Sequence, residues 1–206
     1  MSSKKIFHVE KNTDDIRITV LTNVVKMLTE RNLLKKDSLK KNIEKLTTIV
    51  SDEMVYTITD VNKNKIAVKI LPQKITAVNK ATGILDFLNN FKDNKKIIII
   101  KEISKKAHQF ILNNYSNTEI FLEEELMINI IDHILVPQHI LLSNDEAKYV
   151  LEKYNAKKKD MPKIYSTDPI ARYYDMKPGN ICRIIRPSET AGFSPSYRLV
   201  IKGSIK

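Results

Sequence analysis

Asp168-Pro169-Ile170-Ala171-Arg172-Tyr173, the turn Lys177-Pro178-Gly179-Asn180 and the runs Ile181–Arg186 and Tyr197–Ile201 follow one another near the end of a 206-residue chain. Asp168 is a helix N-cap, and Pro169 occupies the first helical position, where no amide hydrogen is needed. Proline second and glycine third in Lys177–Asn180 is the pattern of a type II turn. Two strands then follow, joined by a long loop, Pro187 to Ser196, that holds Ser188, Glu189, Thr190 and Gly192. A short helix and a two-strand frame make this stretch a small α+β unit.

Just upstream, Ser143-Asn144-Asp145-Glu146 has the S-x-x-E form of a capping box and opens a helix carrying Ala147, Val150, Leu151 and Tyr154 on one stripe. Met161-Pro162-Lys163-Ile164 is extended. Val136-Pro137 marks the boundary, because proline holds its predecessor in an extended conformation. The expected domains are 1–136 and 137–206.

Residues 1–136 mix periods. A helix capped by Thr13 is predicted to Arg31, and a second starts near Asp37 or Ser38, with its end uncertain among Thr47-Thr48-Ile49-Val50. Met54–Thr59 and Lys65–Leu71 form a hairpin around Asn62-Lys63-Asn64, stopped by Pro72. A helix at Gly83–Phe91 precedes Lys96–Ile100, an apolar strand expected to be buried on both faces. A helix over Ser104–Asn113 and a strand near Glu119–Leu122 complete a mixed α/β pattern, so the fold class is α+β in two domains.

Formal net charge is +11. It divides into +5 for residues 1–136 and +6 for residues 137–206, so the shorter part is the more basic per residue. That balance favours nucleic acid or an acidic protein surface. The longest apolar run, Ile97–Ile100, is too short to cross a bilayer, and Lys4 and Lys5 precede no apolar core of signal-peptide length. Cys182 is the single cysteine, which fits a reducing compartment and an inert thiol.

Catalytic groups are not expected. His8, His108, His133 and His139 have no spacing typical of zinc ligands, and no phosphate-binding glycine loop occurs. A magnesium nuclease would need Asp60 followed by Glu-x-Lys on the next strand. The strand reads Ala67-Val68-Lys69, and one carboxylate does not hold the metal. Neither cofactor nor metal is expected. Glu123-Glu124-Glu125 is read as a solvated face or one that meets a basic partner.

The residues of the second domain resemble a known family. Val136-Pro137-Gln138-His139, Leu142–Glu146, Met161–Ile164, Asp168–Tyr173, Lys177-Pro178-Gly179, Ile184-Ile185-Arg186, Ser188–Gly192 and Ser196-Tyr197-Arg198 are similar to the fifth shared subunit of eukaryotic nuclear RNA polymerases. The C-terminal half of that protein corresponds to its smaller archaeal counterpart. Residues 1–136 resemble its jaw domain more loosely, in Ile97–Ile100, Ile103-Ser104 and Phe121–Leu135.

The resemblance implies a non-catalytic subunit, one copy per complex, of a DNA-directed RNA polymerase. Its C-terminal domain would anchor to the largest subunit among the other polymerase subunits, and its jaw would lie against downstream duplex DNA without reading sequence. No membrane partner is implied. Location would be the nucleus, or the viral factory in the host cytoplasm and the virion for a large DNA virus, towards which the Lys-, Ile- and Asn-rich usage leans. In the family, the helix after the Ile97–Ile100 strand approaches DNA with a proline in its first turn. Here Ser104-Lys105-Lys106 stands there, a capped helix start with mobile charge. The expected docking residues are Asp168, Pro169, Arg172, Arg186, Ser188, Glu189, Thr190, Gly192, Tyr197 and Arg198. For the three arginines, pairing with partner carboxylates and internal bracing through Glu189 are both open. The alternative function is a free-standing basic nucleic-acid-binding protein.

Overall fold

The computed structural model describes residues 12–48, 54–78 and 83–203. It divides into two compact units, Met1–Ile128 and Asn129–Lys206, a division that falls ahead of the Val136-Pro137 pair.

In the first unit, four strands form one sheet in the order β1-β2-β3-β4: β1 (Val55–Thr59), β2 (Lys65–Ile75), β3 (Lys95–Ile103) and β4 (Thr118–Leu122). The first two are an antiparallel hairpin; β2, β3 and β4 run parallel. Parallel neighbours need crossovers, which α3 (Ile84–Asn90) and α4 (Lys105–Asn114) supply. Phe87 and Leu88 of α3 and Ala107 and Ile111 of α4 pack with Ile98 and Ile100, so both helices cover one face.

Alternation sends Ile97 and Ile99 to the other face. There α1 (Thr13–Glu30) is tied to β1 by Arg17 Nη1 donating to the Tyr56 hydroxyl at 3.3 Å, and to β4 through Arg31 and Glu119. Ile97 to Ile100 are all fully buried, as their unbroken apolar run anticipates. Each such side chain contributes about 1.5–3 kcal/mol relative to exposure. The helix α2 (Leu39–Thr48) packs beside α1 after a 3-10 turn at Lys36–Ser38, and a single turn, α5 (Glu123–Leu126), follows β4.

Two local expectations are corrected. Thr13 is the first residue of α1 and Asn12 holds the N-cap position, without a side-chain cap bond. Nor does Pro72 end its strand. The register between β2 and β3 shifts between Leu71 and Lys74, and the proline sits in that irregularity, where no ladder donor is required. Ile49 and Val50, at the uncertain end of the second helix, lie outside the described residues.

The second unit is a four-stranded sheet in the order β5-β7-β8-β6, made from β5 (Gln138–Leu141), β6 (Lys163–Tyr165), β7 (Ile181–Ser188) and β8 (Gly192–Ile201). The helix α7 (Pro169–Tyr173) packs on one face, where Ala171, Met176, Cys182, Ile184 and Val200 cluster. On the other, α6 (Asn144–Lys153) buries Ala147 and Val150 against Leu142, Met161 and Ile181. The Ser143 hydroxyl accepts from the Glu146 amide at 3.2 Å and the Glu146 carboxylate accepts from the Ser143 amide at 2.8 Å, completing the capping box.

Gly179 at φ 93° fits the left-handed third position of the type II turn. The long loop expected from Pro187 to Ser196 is much shorter. Both strands continue through it, Ser188 pairs with Gly192, and only Glu189–Ala191 form the turn. Gly192 closes it at φ 69°, a left-handed conformation that glycine adopts without a steric penalty.

Candidate functional site

The residues singled out from sequence lie in both units. In the first, the backbone amide of Ser104 donates to Ile75 O at 2.9 Å, which fixes the start of α4 to the end of β2. Its hydroxyl donates to Thr76 O at 2.7 Å and accepts from the Ala107 amide at 3.2 Å. Both roles of that hydroxyl are therefore occupied, and Ser104 is a positioning cap. Lys105 and Lys106 stand exposed on the first turn that it fixes, where the dipole end is positive.

In the second unit, cross-strand pairing decides which side chains share a face. His139 pairs with Ile184, and Arg198 with Cys182, so both lie on the α7 face that buries those two residues. Arg186 follows two residues beyond Ile184 and keeps the same side. Asp168 joins them from the N-cap of α7, its Oδ1 accepting from the Ile170 amide at 2.9 Å.

These groups feel one another electrostatically. Burial holds the His139 imidazole below its ordinary range; Arg186 and Arg198 push the same way, while the Pro137 carbonyl and Asp168 oppose them. His139 Nδ1 lies 2.7 Å from that carbonyl, so a proton on Nδ1 donates to it. Burial also pushes the Cys182 thiol up to about 11, an unreactive state.

The remaining docking residues separate. Ser188, Glu189, Thr190 and Gly192 make up the hairpin tip, where the Ala191 amide donates to Ser188 Oγ at 3.4 Å and Phe193 is 71% exposed. Pro169 is exposed and Arg172 half-buried on α7. Tyr197 pairs with Arg183 and points to the α6 face, where its ring lies 5.7 Å from that of Tyr154. Among the described residues no ion pair joins Arg186 to Glu189, and both are exposed. Arg198 Nη1 donates to Lys163 O at 3.5 Å, a weak contact.

Sequence reasoning missed His139 as a member of the arginine face, because its neighbours arrive from three other elements. It also missed Lys96. This fully buried ammonium donates to the carbonyls of Phe91, Lys92 and Asn94 at 3.0–3.1 Å, closing the C-terminal end of α3. Burial lowers its pKa, and Asp93 opposes that shift. Among the described residues, no group of three or more His, Cys, Asp or Glu is placed to hold a metal ion, and no helix is long and apolar enough to cross a membrane. The arrangement offers directional cationic donors and a projecting hairpin, which is the chemistry of macromolecular contact.

Residues 128–200 match the family model described as RNA polymerase Rpb5, C-terminal domain. Over 205 residues, 97% of this chain and 98% of the relative, the sequence is 35% identical to DNA-directed RNA polymerase subunit 5 of Acanthamoeba polyphaga mimivirus. The Dictyostelium discoideum DNA-directed RNA polymerases I, II, and III subunit rpabc1 is 38% identical over 129 residues, 60% of this chain and 66% of that protein. DNA-directed RNA polymerase subunit Rpo5 of Thermofilum pendens is 49% identical over 75 residues, which are 36% of this chain but 94% of the archaeal protein.

Proposed function

Because the chain belongs to the RNA polymerase subunit 5 family, we propose that it serves as a non-catalytic subunit of a multisubunit DNA-directed RNA polymerase. The observation that carries this reading is likeness along almost the whole chain to a polymerase subunit of nearly the same extent. A free-standing binding module would not be expected to keep both units of that subunit.

In this reading the second unit is the anchor. Arg186 and Arg198, with Asp168 beside them, form a face able to engage carboxylates and amides of the largest subunit through charge-assisted bonds. The tip Ser188–Gly192 extends that face. Arg186, exposed and without a carboxylate partner among the described residues, favours partner pairing over bracing of the turn. The first unit is the jaw. Lys105 and Lys106 would meet phosphates of downstream duplex, contributing position and salt dependence but no base recognition. The subunit would work where its polymerase works, in a nucleus or in a cytoplasmic viral factory and virion.

Native affinity purification of the tagged full chain tests the assignment. The expected result is co-purification of the largest polymerase subunit and the rest of the assembly in equal proportion. Recovery of the chain alone, still binding nucleic acid, would favour the free-standing module.

A further inference from the structure

The α7 face of the second unit carries Arg186 and Arg198, whereas Arg183, paired with Tyr197, is on the α6 side, where most of that unit's lysines also lie. From the start of α6 to β6, residues 144–163 hold six lysines against four carboxylates, Asp145, Glu146, Glu152 and Asp160. Lys148 and Lys153 lie on α6, Lys157, Lys158 and Lys159 at the 3-10 turn that follows it, and Lys163 on β6. All six are exposed, and none of them forms an ion pair among the described residues. Lys158 is partly engaged, donating to Gly179 O at 3.1 Å.

Two tyrosines stand among these lysines. Tyr149 is 62% exposed, with the Lys153 ammonium 5.9 Å from its ring centre. Tyr154 is 55% exposed and rests on Tyr197. Tyrosine hydroxyls are regular donors to phosphate. The α6 side therefore combines an excess of cations, most of them just beyond the capped helix, with hydroxyl donors.

We propose that this α6 face is a second, sequence-independent contact for duplex DNA, carried by Lys148, Lys153, Lys157 and Lys159 with the hydroxyls of Tyr149 and Tyr154. The sheet of the second unit then has two working faces, one bearing Arg186 and Arg198 and the other predominantly lysines. Lysine suits the second role, since a mobile point charge tracks phosphates where a guanidinium fork favours one fixed partner. The identity of the polyanion rests on the polymerase reading above; the existence of an anion-binding face does not.

The test uses the purified full chain, a fluorescein-labelled duplex of about 30 base pairs, long enough to span several phosphate contacts, and a single-stranded RNA of equal length, with anisotropy titrations across salt concentrations. Lys153→Glu/Lys157→Glu/Lys159→Glu should weaken duplex binding about tenfold or more and flatten the log–log salt dependence by about three. A Gln triple variant should show the same flattening with less loss. Tyr149→Phe should weaken binding as much as Tyr149→Ala if the hydroxyl meets phosphate.

Unchanged affinity and slope in both triple variants would overturn the proposal. So would tighter binding to the single strand with Tyr149→Phe still active, the signature of base stacking. Lys105→Glu/Lys106→Glu measured in parallel reports the jaw contact by itself, and native purification reports polymerase assembly. Failure of this proposal is therefore distinguishable from failure of either of those readings.

Discussion

Removing one carboxylate, in Glu119→Ala, should unfold the first unit far more readily than its single position in β4 suggests. Glu119 accepts from Arg31 Nη1 at 2.9 Å and Nη2 at 2.8 Å, and from Lys95 Nζ at 2.9 Å. The Arg31 side chain is 3% exposed, Glu119 14% and Lys95 25%. Without that carboxylate a guanidinium in a nearly dry site loses its bidentate partner, a change that costs about 3–5 kcal/mol. Lys95→Ala should cost about 1 kcal/mol or less, because its partner retains the bidentate arginine and solvent screens the rest. Glu119→Leu combined with Arg31→Met should recover most of the loss, since burying neither charge avoids the desolvation penalty. Hydrogen exchange of the Ile97–Ile100 amides reports the opening of this unit. Protection there should fall by roughly two to three and a half orders of magnitude in Glu119→Ala, at about tenfold per 1.4 kcal/mol. A fall below tenfold would refute the reasoning and mean that water or another group compensates Arg31.

Further outcomes concern the proposed contacts and the acid side of the stability curve. Arg186→Glu should abolish co-purification of the largest subunit while leaving the circular dichroism spectrum and melting temperature of the isolated chain unchanged. An unfolded variant would show that the residue braces the hairpin. Lys105→Glu/Lys106→Glu should reduce downstream-DNA crosslinking in the assembled enzyme and flatten its salt dependence by about two; unchanged crosslinking would exclude the first turn of α4. His139 is held below its ordinary value in the fold, so the unfolded state takes up its proton first as pH falls. The second unit should therefore be fully stabilised above about pH 6.5 and lose stability as pH drops below it, until the folded-state pKa is passed. Thermal melts from about pH 7.5 down to about pH 5.5, spanning the ordinary histidine range, check this, and His139→Gln should remove that part of the slope.

What could be read from sequence was what short-range hydrogen bonding decides. Asp168-Pro169 and Ser143–Glu146 each specify donors and acceptors two or three residues apart, and both caps form as written. Ile97–Ile100 announces a strand covered on both faces because no polar residue interrupts it. Prolines misled wherever tertiary pairing determined their cost. Pro187 lies past the end of β5, and Pro195 before the start of β6 pairing, so each strand has one free edge there and the missing donor costs little.

The docking residues were legible as a set but not as a geometry. Tyr197 and Arg198 are adjacent in sequence and therefore on opposite sides of a pleated strand. His139 joins Asp168, Arg186 and Arg198 only through strand pairing and helix packing, which no local pattern encodes.

The hairpin has a further consequence for the timing of assembly. Gln138–Leu141 pair only with Cys182–Ile185, and Lys163–Tyr165 only with Leu199–Ile201, so among the described residues the stretch Arg186–Ser194 is a two-stranded arm with no third strand beside it. Two strands alone are marginally stable in water. In the free protein the amides of this arm should exchange with solvent quickly. Recognition would then include the entropic cost of stilling the arm, and a stiffer tip would raise affinity mainly by slowing release rather than by adding contacts.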